Sequence, residues 1–550
     1  MGEEEALKEE VTHLKVSVAI VKCLMEEKVE VIFGYPGATV VPLYEALRIS
    51  GIRHILARHE QAAGHSASGY ARASGTVGVC MSTSGPGATN IMTAIATAYM
   101  DSVPLVIITG QVRTDQIGKD VFQEADVTGA TASFTKHNYL VKESKDILRI
   151  FKEAFYIART GRPGPVLIDI PVNIQNEEID FDYPEEVNIK GYKPTVQGHK
   201  GQMKKAVDLI RHSKRPIICI GGGVISSKAK MEVAEFIEKT KIPVVHTLMG
   251  KDGINSDNPY YVGLIGTHGF SNSNKAVSNA DTLILLGTRV ADRATAGPNF
   301  AKGAETIHID IDPAEIGKNL GPSIPVVGDL KNIIADLNKE VKATESEEWL
   351  KEIRGWKKTA EASTEMQGPA NPKTILKKLS EIADNDTILT ADVGQNQLWC
   401  ARNFSVKGDR RFLTSGGLGT MGYSIPAAFG AKTTSPDKQV IAVMGDGSFQ
   451  MSMFELGTIA ANKAKIIMIL FNNQGLGLVR EIQKITFGEG HSSGVEFGYN
   501  PDFIKIADAY GIKGLRVQQN EEFEAAFNEA KASAGAFLIE CVTDPKESTF

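Results

Sequence analysis

Short apolar runs alternate with stretches of helical periodicity three times along the chain, and this alternation restricts the fold more than any other feature. Each run stops at glycine, proline or a polar residue, the pattern of parallel sheets covered by helices on both faces. In the first block, from about Lys15 to Asn173, the pattern predicts strands near Val29–Phe33, His54–Arg58, Gly78–Ser82, Leu105–Thr109 and Val166–Ile170. In the second, Gly201 to Val341, it predicts them near Pro216–Ile220, Pro243–His246, Thr282–Leu286, Thr306–Ile311 and Pro325–Val327. The third begins at Lys373, with Thr387–Ala391, Gln439–Met444, Ile466–Phe471 and Phe537–Val542. A chain of 550 residues is too long for one core. We therefore expect an α/β protein of three doubly wound parallel-sheet domains, bounded near 12–180, 195–342 and 371–550. The polar stretch Glu177–Lys200 reads as a linker, and the charged stretch Lys342–Pro372 as largely helical and exposed. The first and third blocks are alike in size and layout, as an old duplication would leave them.

Composition removes several classes of function. A net charge of -6 and a pI near 6.1 give no reason to expect nucleic acid or an anionic membrane as partner. The cysteines Cys23, Cys80, Cys219, Cys400 and Cys541 form no C-x-x-C pair, which argues against a zinc site or a disulfide framework. The acidic start, Met1 to Glu10, is unlike a signal or transit peptide. No apolar run approaches the ~20 residues of a membrane span. The expected location is the cytoplasm.

The sharpest chemical signal lies in the third block. Gly445-Asp446-Gly447-Ser448 follows an apolar strand, and Asn472-Asn473 ends the next one. Both therefore lie at the carboxyl edge of a sheet, where open α/β folds bind ligands. A carboxylate from Asp446, an amide oxygen from Asn473 and the backbone carbonyl of Gly475 suit Mg²⁺, which completes its octahedron with diphosphate oxygens and water. Gly447 and Ser448 open a helix whose first amides can take phosphate charge. A lone Gly-Asp-Gly is equally at home in an ordinary strand-turn-helix; the paired asparagines decide for the metal. Together these residues resemble the thiamine diphosphate fingerprint of that enzyme superfamily.

The resemblance implies a glutamate from the first domain, hydrogen-bonded to the far ring nitrogen of the aminopyrimidine, so that the coenzyme's own amino group becomes the base. Glu60, in Arg58-His59-Glu60-Gln61, stands where that glutamate belongs. The glycine turns Thr83–Asn90 and Ser415–Gly422 open helices. In the second, Met421 matches the bulky residue that wedges between the coenzyme's rings. Taken singly, Glu60 also suits a helix-dipole role, and Met421 a place in the core. Gly394, Gln395, Gly419 and Gly445 complete the implied coenzyme set. Because Glu60 and Asp446 lie in different domains, which in the superfamily come from different subunits, at least a homodimer is implied.

Over nearly its whole length the chain is similar to the catalytic subunits of acetolactate (acetohydroxyacid) synthases. Phe33–Gly37, Arg58–Gln61, Ser84–Asn90, Phe122–Asp126, Thr135–His137, Gly161–Pro165 and His308–Asp312 match that family's motifs in order. The likeness implies a pyrimidine-binding first domain, a central nucleotide-binding domain and a diphosphate-binding third domain. It gives Gln123 a contact with coenzyme and acceptor. It implies a structural FAD near Lys136, Arg162, Gly222, Thr247, Leu248, His268, Arg289, Asp310, Ile311 and Asp329. The implied reaction decarboxylates pyruvate and joins the remainder to a second 2-oxo acid, as in branched-chain amino acid biosynthesis, with Arg480 as a candidate to hold the acceptor carboxylate. A dimer or tetramer and a regulatory small subunit fit the same likeness. Four departures bear on the acceptor: Val172 replaces a lysine, Ile482 a tryptophan and Asn396 a histidine, and the family's C-terminal tail is missing after Phe550. A carboligase for another acceptor, a pyruvate oxidase and a non-catalytic paralogue are the alternatives.

Overall fold

The computed structural model describes residues 13–295, 297, 300–357 and 368–550. Three six-stranded sheets, parallel throughout, carry the chain. The first is ordered Arg53–Leu56, Val31–Tyr35, Gly78–Ser82, Leu105–Gln111, Pro165–Pro171, His137–Leu140. The third is ordered Arg411–Thr414, Ile388–Ala391, Val440–Gly445, Ile467–Asn472, Phe537–Val542, Lys513–Val517. In order of appearance, both read 2-1-3-4-6-5, so the likeness of layout between these blocks extends to their topology. The middle sheet is Tyr261–Leu264, Val244–His246, Pro216–Ile220, Thr282–Leu286, Glu305–Asp310, Ile324–Val327, which reads 3-2-1-4-5-6, the dinucleotide-binding order.

The central strands are β-branched, apolar and buried along their length, as sheets covered on both faces require. A small antiparallel pair, His13–Lys15 with Glu178–Asp180, ties the start of the first domain to its end. The linker has neither helix nor strand from 181 to the helix Lys200–His212 and turns once at Ile189–Tyr192. The second connecting stretch departs from expectation: within its helix Glu347–Lys357, Trp349, Leu350 and Ile353 are buried, and Trp349 and Ile353 join the core of the middle domain. One face of a charged helix is thus core. The rest of that stretch, 358–367, and the acidic start lie outside the described residues.

The first and third domains pack through two helices, Glu60–Ser74 and Ser424–Thr434, whose residues share one core with Phe33 set edge-on to Phe429. The helices touch backbone to backbone. A Cβ on Gly69 would lie 2.0 Å from the Ala427 carbonyl oxygen, and one on Gly430 1.8 Å from that of Ser66. Only glycine permits this crossing. All five cysteines are free and buried. Among the described residues no helix is long and apolar enough to cross a membrane.

Candidate functional site

The third sheet reverses its winding between Ile388–Ala391 and Val440–Gly445, and a crevice opens beyond the carboxyl ends of strands at such a point. A cavity of about 100 Å³ lies there, lined by Gly394, Gln395, Met421, Gly445–Ser448, Asn473 and Gly475–Val479. Asp446 begins the helix Asp446–Ser452, and Asn473 follows the strand Ile467–Asn472 in the neighbouring sheet position. Asp446 is buried and accepts hydrogen bonds from the Gly447 amide (3.0 Å) and Asn500 Nδ2 (2.7 Å). Burial pushes its carboxyl up to about 6, against the pull of those bonds. Asn473 Nδ2 donates to Gln395 Oε1 (2.9 Å), which turns the asparagine's own oxygen free of that bond. Gln395 in turn donates to Glu481 (3.0 Å) and to the Glu547 carbonyl (2.8 Å). Gly477 leaves the gap these amides fill, since a Cβ there would meet Gln395 Oε1 at 1.9 Å. The arrangement is a floor of hard oxygen donors beside helix-terminal amides.

Met421 lines the same cavity, its Cε 3.4 Å from where a Cβ on Gly447 would stand. The loop that carries it is fixed by Asp392, a buried carboxylate that accepts from the amides of Val393 (2.8 Å), Gly422 (2.9 Å) and Ser424 (2.8 Å). The same loop is where all three domains meet. Gly417 donates its amide to Asp101 of the first domain (2.7 Å), and Met249 of the middle domain abuts Gly416.

Glu60 and Gln123 stand together in the first domain. Asn90 Nδ2 donates to Glu60 Oε2 (3.1 Å), and the turn Gly85–Gly87 separates the glutamate from Gln123. Gln123 takes φ 60°, a left-handed conformation uncommon for a residue with a side chain. The helix Glu60–Ser74 fixes where this group lies relative to Asp446. Its far end carries Arg72, which donates to Tyr423 (3.2 Å), beside Met421. Glu60 is twelve residues back, ~18 Å along the axis at 1.5 Å per residue, and Arg58, two residues before it, lies against Glu455 and Gly457. Within one chain the cavity is therefore lined by the third domain alone.

The middle sheet has its switch point between Pro216–Ile220 and Thr282–Leu286. Gly221 and Gly223 there lie against Gly287 and Thr288 too closely for any Cβ. Thr288 Oγ1 and His308 Nδ1 are buried without a partner among the described residues. Arg289 is partly buried and pairs with no carboxylate among the described residues; burial and Arg162 both lower its pKa. Thr247 and Leu248 begin the turn beyond the neighbouring strand. Asp310, pushed up to about 6 by burial, accepts from the Asp312 amide (2.9 Å). Asp329 instead caps the helix Leu330–Leu337 through the Asn332 amide. His268 stacks on Phe550 at 5.5 Å.

Lys136, Arg162 and Ile311 line a second cavity, about 440 Å³, between the first domain, the linker and the middle domain. Both cations already have partners. Lys136 donates to the carbonyls of Ile157 and Thr160 (2.5 and 2.7 Å) at the end of the helix Ile147–Arg159, and burial draws it down to about 8. Arg162 pairs with Glu315 (2.8 Å) and Asp312 (3.3 Å). Arg480 is likewise engaged: Nε and Nη2 meet Glu496 at 2.7 and 2.8 Å, and Nη1 donates to the Pro545 carbonyl at 2.6 Å. Ile482 is exposed on the helix Gly477–Phe487 and does not line the cavity. Asp392, Glu455, Glu481 and Asn500 carry no motif that sequence reading would single out. A lone acid or amide at a strand end or helix start was the only signal.

Residues 14–130 match the N-terminal TPP binding domain of thiamine pyrophosphate enzymes, 203–337 their central domain and 392–541 their C-terminal TPP binding domain. The chain is 46% identical to a probable acetolactate synthase large subunit of Methanocaldococcus jannaschii, covering 97% of this chain and 93% of that one. It is 45% identical to the corresponding protein of Methanococcus aeolicus (96% and 92%) and 41% identical to an acetolactate synthase large subunit of Cyanidium caldarium (97% and 94%).

Proposed function

Since this chain belongs to the thiamine pyrophosphate enzymes, in the family of acetolactate synthase large subunits, we propose that it decarboxylates pyruvate and joins the retained two-carbon unit to a second 2-oxo acid. With pyruvate as acceptor the product is 2-acetolactate. The observation that carries this reading is the oxygen-lined cavity at the switch point, with Asp446, Asn473, Gly475 and Met421 among its lining. Its donors are a carboxylate, an amide oxygen and a backbone carbonyl, the set Mg²⁺ takes together with a diphosphate. When bound, thiamine diphosphate supplies the electron sink that lets a 2-oxo acid lose CO₂.

The protein's part is placement. Asp446, Asn473 and the Gly475 carbonyl would hold the metal, and the first amides of the helix Asp446–Ser452 would take the diphosphate charge. Met421 would support the coenzyme between its rings, and Asp392 holds the loop that carries Met421. Glu60, held by Asn90, would bond the far pyrimidine-ring nitrogen and so favour the tautomer in which the amino group acts as base. Gln123 orients the acceptor, and Arg480 takes its carboxylate in exchange for Glu496. Within one chain the cavity beside Asp446 is lined by third-domain residues and not by Glu60, so two copies are taken to complete each other's sites in a homodimer or a tetramer built from dimers. The relatives' designation as large subunits makes a smaller regulatory chain a further expected partner. The cytoplasm is the proposed setting.

FAD belongs to the same reading as a structural group. The middle domain offers a dinucleotide-type switch point, close glycine turns and, among the described residues, an Arg289 with no salt bridge and the unpartnered atoms Thr288 Oγ1 and His308 Nδ1. Arg289 would meet its diphosphate, and Asp310 with Ile311 its outer end. Lys136 and Arg162, spent on other partners, would shape its surroundings without charging it.

Incubating the purified protein with Mg²⁺, thiamine diphosphate, pyruvate and 2-oxobutyrate, and identifying products by NMR, tests the reading. Acetolactate or acetohydroxybutyrate supports it. Acetate or acetaldehyde in their place would assign the chain to an oxidase or a simple decarboxylase.

A further inference from the structure

Glu455 is a buried carboxylate that the proposed reaction leaves unused. It is 1% exposed, at the end of the 3-10 turn Met453–Glu455 in the third domain. A carboxylate so deeply buried is costly unless it is hydrogen-bonded. Thr458 of its own domain is one partner; across the domain boundary Oε1 accepts from the backbone amide of Arg58 at 2.6 Å, and the His59 amide also faces the carboxylate. The guanidinium of Arg58 donates to the Leu56 carbonyl (3.0 Å) and lies near enough for its charge to favour the ionised carboxylate, without a hydrogen bond to it. The carboxylate thus grips main chain in the first domain, at the two residues before Glu60.

His59 is the N-cap of the helix that Glu60 begins. It is extended (φ -156°, ψ 144°), and its Nδ1 accepts from the Gln61 amide at 3.1 Å. Its ring packs on Phe454, the neighbour of Glu455, with centroids 5.6 Å apart. The hydrogen bonds from Glu455 therefore fix the direction in which the chain enters this helix, and with it the stance of the Glu60 side chain. At its other end the segment that carries Glu455 starts as the helix Asp446–Ser452. One short segment holds the metal-site carboxylate at its beginning and grips the chain before Glu60 at its end.

We infer that Glu455 is a positioning residue for the coenzyme-activating carboxylate, setting where Glu60 stands by holding the amides of Arg58 and His59. This rests on the role given to Glu60 above. Through it, each copy's own third domain sets the glutamate that serves the other copy's coenzyme. A docking contact between domains needs no charge, and an apolar side chain of the same size would serve as well. The carboxylate earns its burial only if the backbone it holds must be held in place.

The test compares Glu455→Leu, Glu455→Asp and Glu455→Gln with Glu60→Gln, all as full-length protein loaded with Mg²⁺ and thiamine diphosphate. The readouts are exchange of the coenzyme C2 proton for deuterium by quenched NMR, kcat, coenzyme Kd and melting temperature. Glu455→Leu removes the acceptor and Glu455→Asp shortens its reach. Both are expected to slow C2 exchange and kcat by about tenfold to a hundredfold, the scale of a misplacement near 1 Å, with coenzyme Kd little changed. Glu455→Gln keeps an acceptor oxygen at the same length and should stay within about threefold of the parent, since the amide bonds it restores are the ones that matter. Should the leucine variant fail to fold, the aspartate and glutamine pair decides alone. Parent-rate exchange in Glu455→Asp, or equal losses in all three with Kd weakened in step, would overturn the inference. Parent-rate exchange in Glu60→Gln would instead overturn the role of Glu60.

Discussion

If Arg480 takes the acceptor carboxylate as proposed, its ion pair with Glu496 sets a measurable tax on that substrate. Arg480 is 16% exposed and Glu496 56%, with both contacts below 3 Å. A pair with one partner in water is worth about 0.5–1 kcal/mol. An acceptor carboxylate that must displace Glu496 loses that much, roughly a twofold to fivefold penalty in its apparent affinity. Glu496→Gln is therefore expected to lower the acceptor KM by about that factor and leave kcat nearly unchanged, the mark of altered ground-state binding. Pro545 keeps its hold on Nη1, so the guanidinium stays in place when Glu496 leaves. Arg480→Ala removes charge-assisted bonds worth about 1.5–3 kcal/mol, a loss of roughly tenfold to 150-fold in kcat/KM for the acceptor. The assay varies 2-oxobutyrate at fixed pyruvate and follows both ligation products by NMR. Added salt should shrink the advantage of Glu496→Gln, because a half-exposed pair is screened. A higher acceptor KM in Glu496→Gln, or an unchanged one in Arg480→Ala, would refute the exchange.

Two further outcomes follow from burial and packing. Asp446, raised to about 6 before metal binds, takes up a proton as pH falls through that value, so protons compete with Mg²⁺ below it; a Mg²⁺ titration should show affinity dropping about tenfold per pH unit below 6 and flat above 7. Gly430→Ala places a methyl group 1.8 Å from the Ser66 carbonyl and forces the two helices apart; calorimetry should show a destabilisation of about 3 kcal/mol or more, beyond ordinary overpacking because backbone must move.

Much of the fold is legible in the alternation of strands and helices, and the strands that escape it in the three large sheets share one position. His137–Leu140, Tyr261–Leu264, Arg411–Thr414 and Lys513–Val517 escape a reading based on apolar runs, and all four are edge strands. An edge strand is covered less and needs fewer apolar residues, as the pattern of Lys513–Val517 shows. The helix around Trp349 was misjudged for the converse reason: its charges hide a one-sided apolar stripe. At the site, the glycine-flanked residues were readable because a turn and a strand end leave a local mark. Asp392, Glu455 and Asn500 act on backbone or side chains far away in sequence, and nothing local announces that. The partner of Arg480 was hidden likewise, since Glu496 reaches it only when the chain folds back.

The central claim is that Glu60 of one copy and Asp446 of another form a single coenzyme site, and mixing two inactive variants tests it directly. Glu60→Gln and Asp446→Ala should each be inactive alone. Dissociated, mixed and reassembled, they form mixed dimers in which one of the two sites has both residues intact. The account predicts recovery of activity, up to about a quarter of the parent value for random pairing of subunits. If mixed dimers form, as a tagged pull-down would report, and no activity returns, each site is built within one chain and the account is wrong.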